Sequence, residues 1–395
     1  MSTMTPNPRR DTPRCGSASA WWLIALVIGL GAGAAVVAVI TTRPYGDDGS
    51  GLDERFEYRL DDQQRIPPEL IGYRQAETVR LAMRQPRAIA VDAVGRWYVA
   101  GDRAVQRLDS NGRMERKIIL DREPTCVGVD PAVGSISSSG SDSDEAAAES
   151  AATRVFVGLG DHIEVYDATG DPVATWPSRG ERALLTAVAA GPEGIFVADA
   201  GNRIVRRCDV EGNILLEIGQ RPPALGEAAS TGQLAASNRT RPSGAKSAGG
   251  VFIIPSPYFD LALGRDGLLR VVNPGGHRIE VYTADGRFEE PLMWGKAGTA
   301  VDRFCGCCNP AAIALMSDRR MVTSEKGIPR VKIYSADGQF ETVVASPEML
   351  GVRAGALDET REDHRLPVFD VAVDREDRVL VLDPMKRLVQ VFVPK

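Results

Sequence analysis

The sequence predicts an all-β protein, a six-bladed β-propeller preceded by one N-terminal transmembrane helix. Three features predict it: short apolar runs that recur in tandem from about residue 86 to the end, Gly-containing polar turns at a fixed place in the copies, and one unbroken apolar segment near the start. Copies of about 40–50 residues with four short strands each mark a propeller. One four-stranded sheet cannot bury both faces alone, whereas six packed radially can.

Composition narrows the function classes. Across 395 residues, 47 Lys+Arg stand against 53 Asp+Glu, a net charge of −6 with no basic block, which argues against a nucleic-acid partner. With 43% hydrophobic and 25% charged residues the chain is of globular type. Three histidines leave little material for His-rich metal catalysis.

Residues 21–40, WWLIALVIGLGAGAAVVAVI, carry no charge, and about 20 apolar residues suffice to span a bilayer. Trp21 and Trp22 sit at one edge, where indoles favour the interface. Arg9, Arg10 and Arg14 precede the run against the single acid Asp11, so the positive-inside rule puts residues 1–19 in the cytoplasm and the remainder on the extracytoplasmic (periplasmic) side. A cleaved signal peptide is the competing reading, through the small residues Ala32-Gly33-Ala34. The apolar sequence continues to Ile40, which favours an uncleaved single-pass anchor over residues 20–41. Residues 42–66 are polar, acidic and rich in turn formers, as a tether is.

Residues 67–395 hold the repeats. First strands read AIAVD (88–92), CVGVD (126–130), AVAAG (187–191), DLALG (260–264), AIALM (312–316) and DVAVD (370–374). Second strands read WYVAG (97–101), VFVGL (155–159), IFVAD (195–199), LRVVN (269–273), MVTSE (321–325) and VLVLD (379–383). Third strands end at Leu108, Tyr166, Cys208, Tyr282, Tyr334 and Phe392, followed in five copies by DSNG, DATG, DVEG, TADG and SADG turns that lead to a fourth strand. The sixth copy lacks that fourth strand. Residues 76–83 (AETVRLAM), ahead of the first copy, are expected to supply it and close the ring. Two low-complexity insertions, about 134–152 and 222–250, are expected to be disordered loops.

The units IFVADAGNRIVRRCDVEGN (195–213) and LRVVNPGGHRIEVYTADGR (269–287) resemble the NHL-repeat family, whose unit reads VAD-x-x-N-x-R-I-x-V-x-D-x-x-G. The resemblance implies an NHL-type six-bladed propeller. Such folds host many functions, so the site must be argued from its residues.

The unusual chemistry lies in FCGCCNP (304–310), which places Cys305, Cys307 and Cys308 in the loop entering the fifth first strand. Repeat alignment puts Cys126 at the inner end of blade 2, so the four sulfurs are expected to converge at one channel mouth. Such a set suits a disulfide, a zinc or iron–sulfur site, or a redox-active thiol. Asp260 and Asp370 are the repeat equivalents of Cys126 and mark a polar axial site. Asp199, Asn273, Glu325 and Asp383 end second strands, where they could converge on Ca²⁺ or cap turns. Glu325 and Lys326 adjoin the same mouth and could work as an acid/base pair or stand solvated. Cys208 fills an aromatic slot of the repeat and reads as core. His162, His277 and His364 lie off the first strands, unlike the channel histidines that hold zinc in the NHL-like peptide-amidating lyases.

The expectation is therefore a membrane-anchored extracytoplasmic propeller that binds or scaffolds a protein or small-molecule ligand at the channel mouth through Asp260, Asp370, Glu325 and Lys326. The rivals are a redox or metal protein built on the cysteine cluster and a Ca-dependent hydrolase or lyase of the gluconolactonase-like type.

Overall fold

The computed structural model describes residues 65–130, 153–219, 251–352 and 368–395, together with Leu26. The chain divides between residues 59 and 60, and the description below is of the second unit. The expected transmembrane helix (Leu26 apart), nearly all of the tether, both low-complexity insertions and His364 lie outside the described residues. Among the described residues no helix is long and apolar enough to cross a membrane.

Six sheets form the propeller. Blade 1 comprises β2 (Pro86–Val91), β3 (Trp97–Gly101), β4 (Ala104–Leu108) and β5 (Met114–Ile119). Blade 2 comprises β6 (Cys126–Val129), β7 (Arg154–Gly158), β8 (Ile163–Asp167) and β9 (Pro172–Thr175). Blade 3 comprises β10 (Leu185–Gly191), β11 (Gly194–Asp199), β12 (Ile204–Cys208) and β13 (Ile214–Gly219). Blade 4 holds β14 (Leu261–Leu263), β15 (Leu268–Asn273) and β16 (Arg278–Thr283). Blade 5 comprises β17 (Ala312–Leu315), β18 (Met321–Ser324), β19 (Val331–Tyr334) and β20 (Phe340–Ala345). Blade 6 comprises β21 (Asp370–Val373), β22 (Val379–Asp383) and β23 (Leu388–Pro394), completed by β1 (Tyr73–Arg80).

The ring closes as the repeat count requires. β1 pairs antiparallel with β23, Tyr73 opposite Pro394 and Arg80 opposite Leu388. The strand begins three residues before the predicted segment. Leu81 and Met83 leave the sheet to pack with Trp97 and Val389 between blades 6 and 1. Blade 4 departs from the four-strand pattern. Its fourth position is taken by isolated bridges, Tyr282 to Phe288 and Ile279 to Trp294, around a short 3-10 helix at Glu290–Leu292. Pro291 has no N–H to give a ladder there.

Burial explains the sequence patterns. The second strands β3 and β22 are buried at every residue, because neighbouring blades cover both faces, so they read as continuous apolar runs. The outer strands β1 and β5 are mostly exposed. Six hydrophobic clusters fill the gaps between successive blades. The turns after the third strands are built by their first side chain: Asp109, Asp167 and Asp209 each accept backbone N–H groups two and four residues on. Antiparallel connection places the loops into first strands and the turns between second and third strands at the same mouth of the ring.

Candidate functional site

The inner rim is made by the residues at the starts of the first strands. Asp260, just before β14, accepts from Leu261 N at 2.8 Å in its own blade and from Ile313 N at 2.7 Å in the next. Asp370, at the head of β21, repeats this with Val371 N at 2.9 Å and Ile89 N at 2.8 Å. Thr125 and Thr186 do the same work for other blade pairs, through Leu185 O and Phe259 O, each at 2.6 Å. The rim is thus laced blade to blade by short polar side chains. Burial pushes both carboxyls up, and the charge of Asp370 pushes Asp260 further. The two carboxyls lie near enough for one to feel the other's charge, and their oxygens accept the bonds that brace blade to blade.

Cys126 sits near this pair without meeting the other thiols. It is buried among Phe156, Trp176 and Val188 between blades 2 and 3, and burial pushes its thiol up to about 12. Cys305, Cys307 and Cys308 belong to the loop between blades 4 and 5. The expected convergence of four sulfurs is therefore corrected: the residues do not fit a four-thiolate zinc or iron–sulfur site. Among the described residues no group of three or more His, Cys, Asp or Glu side chains is placed to hold a metal ion. Cys208 is fully buried in the same inter-blade cluster as Cys126, as its slot in the repeat implies.

The second expected ring is also turned inward. Asp199, Asn273, Glu325 and Asp383 are all fully buried. Asp199 accepts from the backbone N–H of Leu184 and Asn202, from Asn202 Nδ2, and from Arg206. Asn273 donates to Glu280 at 2.8 Å and accepts from Ile253 N at 3.0 Å. Asp383 caps the turn at Met385 N and Lys386 N. Apart from Asp383 Oδ2, which lies 3.4 Å from Lys386 Nζ, these oxygens serve turns, loops and in-blade partners.

Glu325 corrects a second expectation. It is ion-paired to Arg330 Nη2 at 2.8 Å and Lys332 Nζ at 2.6 Å, both fully buried, and not to Lys326. Lys332 also donates to Val301 O and Arg303 O and lies over Phe304, 4.7 Å from the ring centroid. Burial lowers its ammonium to about 8. This is a charged core under the 304–310 loop, closed to solvent.

What remains at the mouth is a compact cluster. Asn309, buried, ties the cysteine loop to the turn after β18: its Nδ2 donates to Cys305 O and to Lys326 O, and its Oδ1 accepts from Lys326 N at 2.8 Å. Gly306 adopts φ +83° at the loop tip, the left-handed region that glycine tolerates. Lys326 Nζ reaches Ser256 Oγ at 3.1 Å and lies 4.9 Å from the Tyr258 ring centroid. Cys307 Sγ lies 3.2 Å from Cys308 Sγ. Cys307 is exposed, Cys308 is buried, and Lys326, Ser256 and Tyr258 are half-buried. Ser256 and Tyr258 were not legible as site residues, because they precede a strand in a segment with no repeat counterpart.

No family model matches the chain, and no curated protein matches it. Among solved structures, a streptogramin B lyase is similar at TM-score 0.44 and 13% identity, over 82% of this chain and 98% of that chain. A likeness of that size bears on neither ligand nor activity.

Proposed function

We propose that this chain is a recognition module: an NHL-type propeller, held at a membrane by residues 20–41 with its N-terminus cytoplasmic, that takes an anionic ligand at the mouth over blades 4 and 5. One observation carries the reading. Asp260, Asp370, Asp199 and Glu325 are engaged in internal bonds, while Lys326 stands at the mouth against Ser256 and Tyr258, with no carboxylate partner among the described residues. A half-buried ammonium beside an aromatic face and a hydroxyl suits a ligand with an anionic group and a flat or apolar body. A Ca-dependent hydrolase is not favoured, because Asp199, Asn273 and Glu325 are engaged by protein donors and, among the described residues, no three His, Cys, Asp or Glu side chains are grouped to hold a metal ion.

The test is a thermal-shift screen of anionic metabolites and acidic peptides on the full chain in detergent, repeated with Lys326→Ala. Ligands that stabilise the wild type and lose their effect in the variant support the reading. Stabilisation indifferent to Lys326, or turnover of the compound, overturns it. Membrane anchorage is checked separately, by resistance to alkaline extraction and by protease access to the propeller only from the extracytoplasmic side.

A further inference from the structure

We propose that Cys307 and Cys308 form a vicinal dithiol that exchanges with external disulfides, closing to a Cys307–Cys308 disulfide and reopening under thiol reductants. The proposal shares Lys326 and Ser256 with the ligand reading above but needs no ligand there, and it uses only two of the clustered cysteines. Cys126 is enclosed in another inter-blade core, and the Cys305 thiol is pushed up by burial first, with Arg330 opposing and Glu325 adding to it.

Three observations divide the labour. The sulfurs are in contact at 3.2 Å, so closure to a bond of about 2.05 Å asks only for local adjustment of the Cys307–Cys308 peptide and side chains. Only Cys307 is exposed, so it alone meets a bulky disulfide; Cys308 is 1% exposed. Cys308 also has the better-stabilised thiolate. Burial alone would raise it, but hydrogen bonds with Ser256 and Cys307 and the Lys326 ammonium outweigh burial and bring it below the ordinary cysteine value. Cys307 is raised, first by its hydrogen bond to Cys308 and then by burial, so the shared proton rests on Cys307. Asn309 holds the Lys326 turn against the loop, which fixes the ammonium near the pair.

The chemistry balances without a metal or a bound cofactor. Cys307 attacks one sulfur of an external disulfide RSSR. Before the attack its proton passes across the S–H···S contact to the Cys308 thiolate, so that Cys307 attacks as the thiolate; Cys308 then gives that proton to the departing RS⁻, which leaves as RSH, and is a thiolate again. Cys308 thiolate then attacks Cys307 Sγ in the mixed disulfide, the intramolecular S–S bond forms, and the second RS⁻ leaves. One protein thiol and one thiolate lose two electrons between them, and the external disulfide becomes one RSH and one RS⁻, the latter taking a proton from water according to pH.

The experiment treats the full chain in detergent with oxidised glutathione at neutral pH, quenches by alkylation, and reads the 304–310 peptide by mass spectrometry. Wild type is expected to lose alkylation at Cys307 and Cys308 together, with no lasting glutathione adduct, and to recover both on reduction. Cys308→Ser should trap the adduct on Cys307, persisting at least about tenfold longer than in wild type. Cys307→Ser should take up no glutathione at Cys308. Lys326→Gln should slow ring closure by about fivefold. As a measurement on unmutated protein, phenylarsine oxide, which condenses with two adjacent thiols and releases water, should protect both from alkylation one-to-one. Independent alkylation of both cysteines after oxidation, a stable glutathione adduct in the wild type, closure onto Cys305, or no protection by the arsenical would overturn the proposal.

Discussion

Asn273 and Glu280, seven residues apart, are bonded to each other inside blade 4, Nδ2 to Oε1 at 2.8 Å, and both are fully buried. The same spacing recurs. Asp199 meets Arg206 in blade 3, and Glu325 meets Lys332 in blade 5. The second strand ends in a polar side chain, the chain turns, and the third strand returns a partner to it across the ladder. Blades 3, 4 and 5 each carry such a polar strut, and its chemistry varies from ion pair to amide–carboxylate.

Breaking such a strut should be costly. Glu325→Gln leaves Arg330 and Lys332 charged in the core with a weaker acceptor. It should cost about 3–5 kcal/mol, the range for stripping one partner from a buried ion pair. Urea denaturation of the variant checks this; a loss below about 1 kcal/mol would mean that the strut is dispensable.

The rim carboxyls predict a pH dependence of definite sign. Asp260 is pushed up to about 8 and Asp370 to about 6, against about 4 for an unfolded carboxyl. The folded state therefore binds more protons than the unfolded state across that window, and stability falls as pH rises from about 4 through the folded values. Asp370→Asn removes one charge and relieves the other, and should flatten the profile by about 2–4 kcal/mol across the window. Thermal melts in a series of buffers report it, and an unchanged slope in the variant would assign the dependence elsewhere.

Ring closure should govern cooperativity. Deleting residues 67–83 removes β1, uncovers the edge of β23, and takes Leu81 and Met83 from the core between blades 6 and 1. The melt should broaden and drop markedly, with aggregation through the free edge. An unchanged sharp transition would show that the remaining blades are sufficient.

The turn glycines are tested at Gly338. Its φ is +76°, and a Cβ there would meet Trp294 Cγ at 2.1 Å. Gly338→Ala should cost about 2–3 kcal/mol, from backbone strain and from displacement of the indole. Equilibrium unfolding measures it, and a neutral result would mean that Trp294 yields freely.

Most of the architecture was legible because strand alternation and turn residues are local signals. AIAVD at 88–92 and VLVLD at 379–383 mark strands without knowledge of their neighbours, and counting the copies demanded a donor strand from upstream. The missing fourth strand of blade 4 needed the weight of Pro291. The site was harder, because it depends on where side chains turn after the backbone is placed. Glu325 and Lys326 are adjacent in sequence but face opposite surroundings, one the core and the other the mouth. A complementary polar residue at the seventh position onward was the signal that could have told a strut from a ligand. Cys126 shares a repeat position with Asp260 and Asp370, but the loop carrying the other cysteines belongs to a different pair of blades.

The pairing of β1 with β23 also sets an order of events during synthesis. Gln75 emerges from the ribosome more than three hundred residues ahead of Gln390, to which it is hydrogen-bonded in the finished ring. Blade 6 is therefore the last of the six sheets to be completed. Until then the earliest-made strand is a solitary edge in need of shielding, so the nascent chain is a natural client for a holding chaperone.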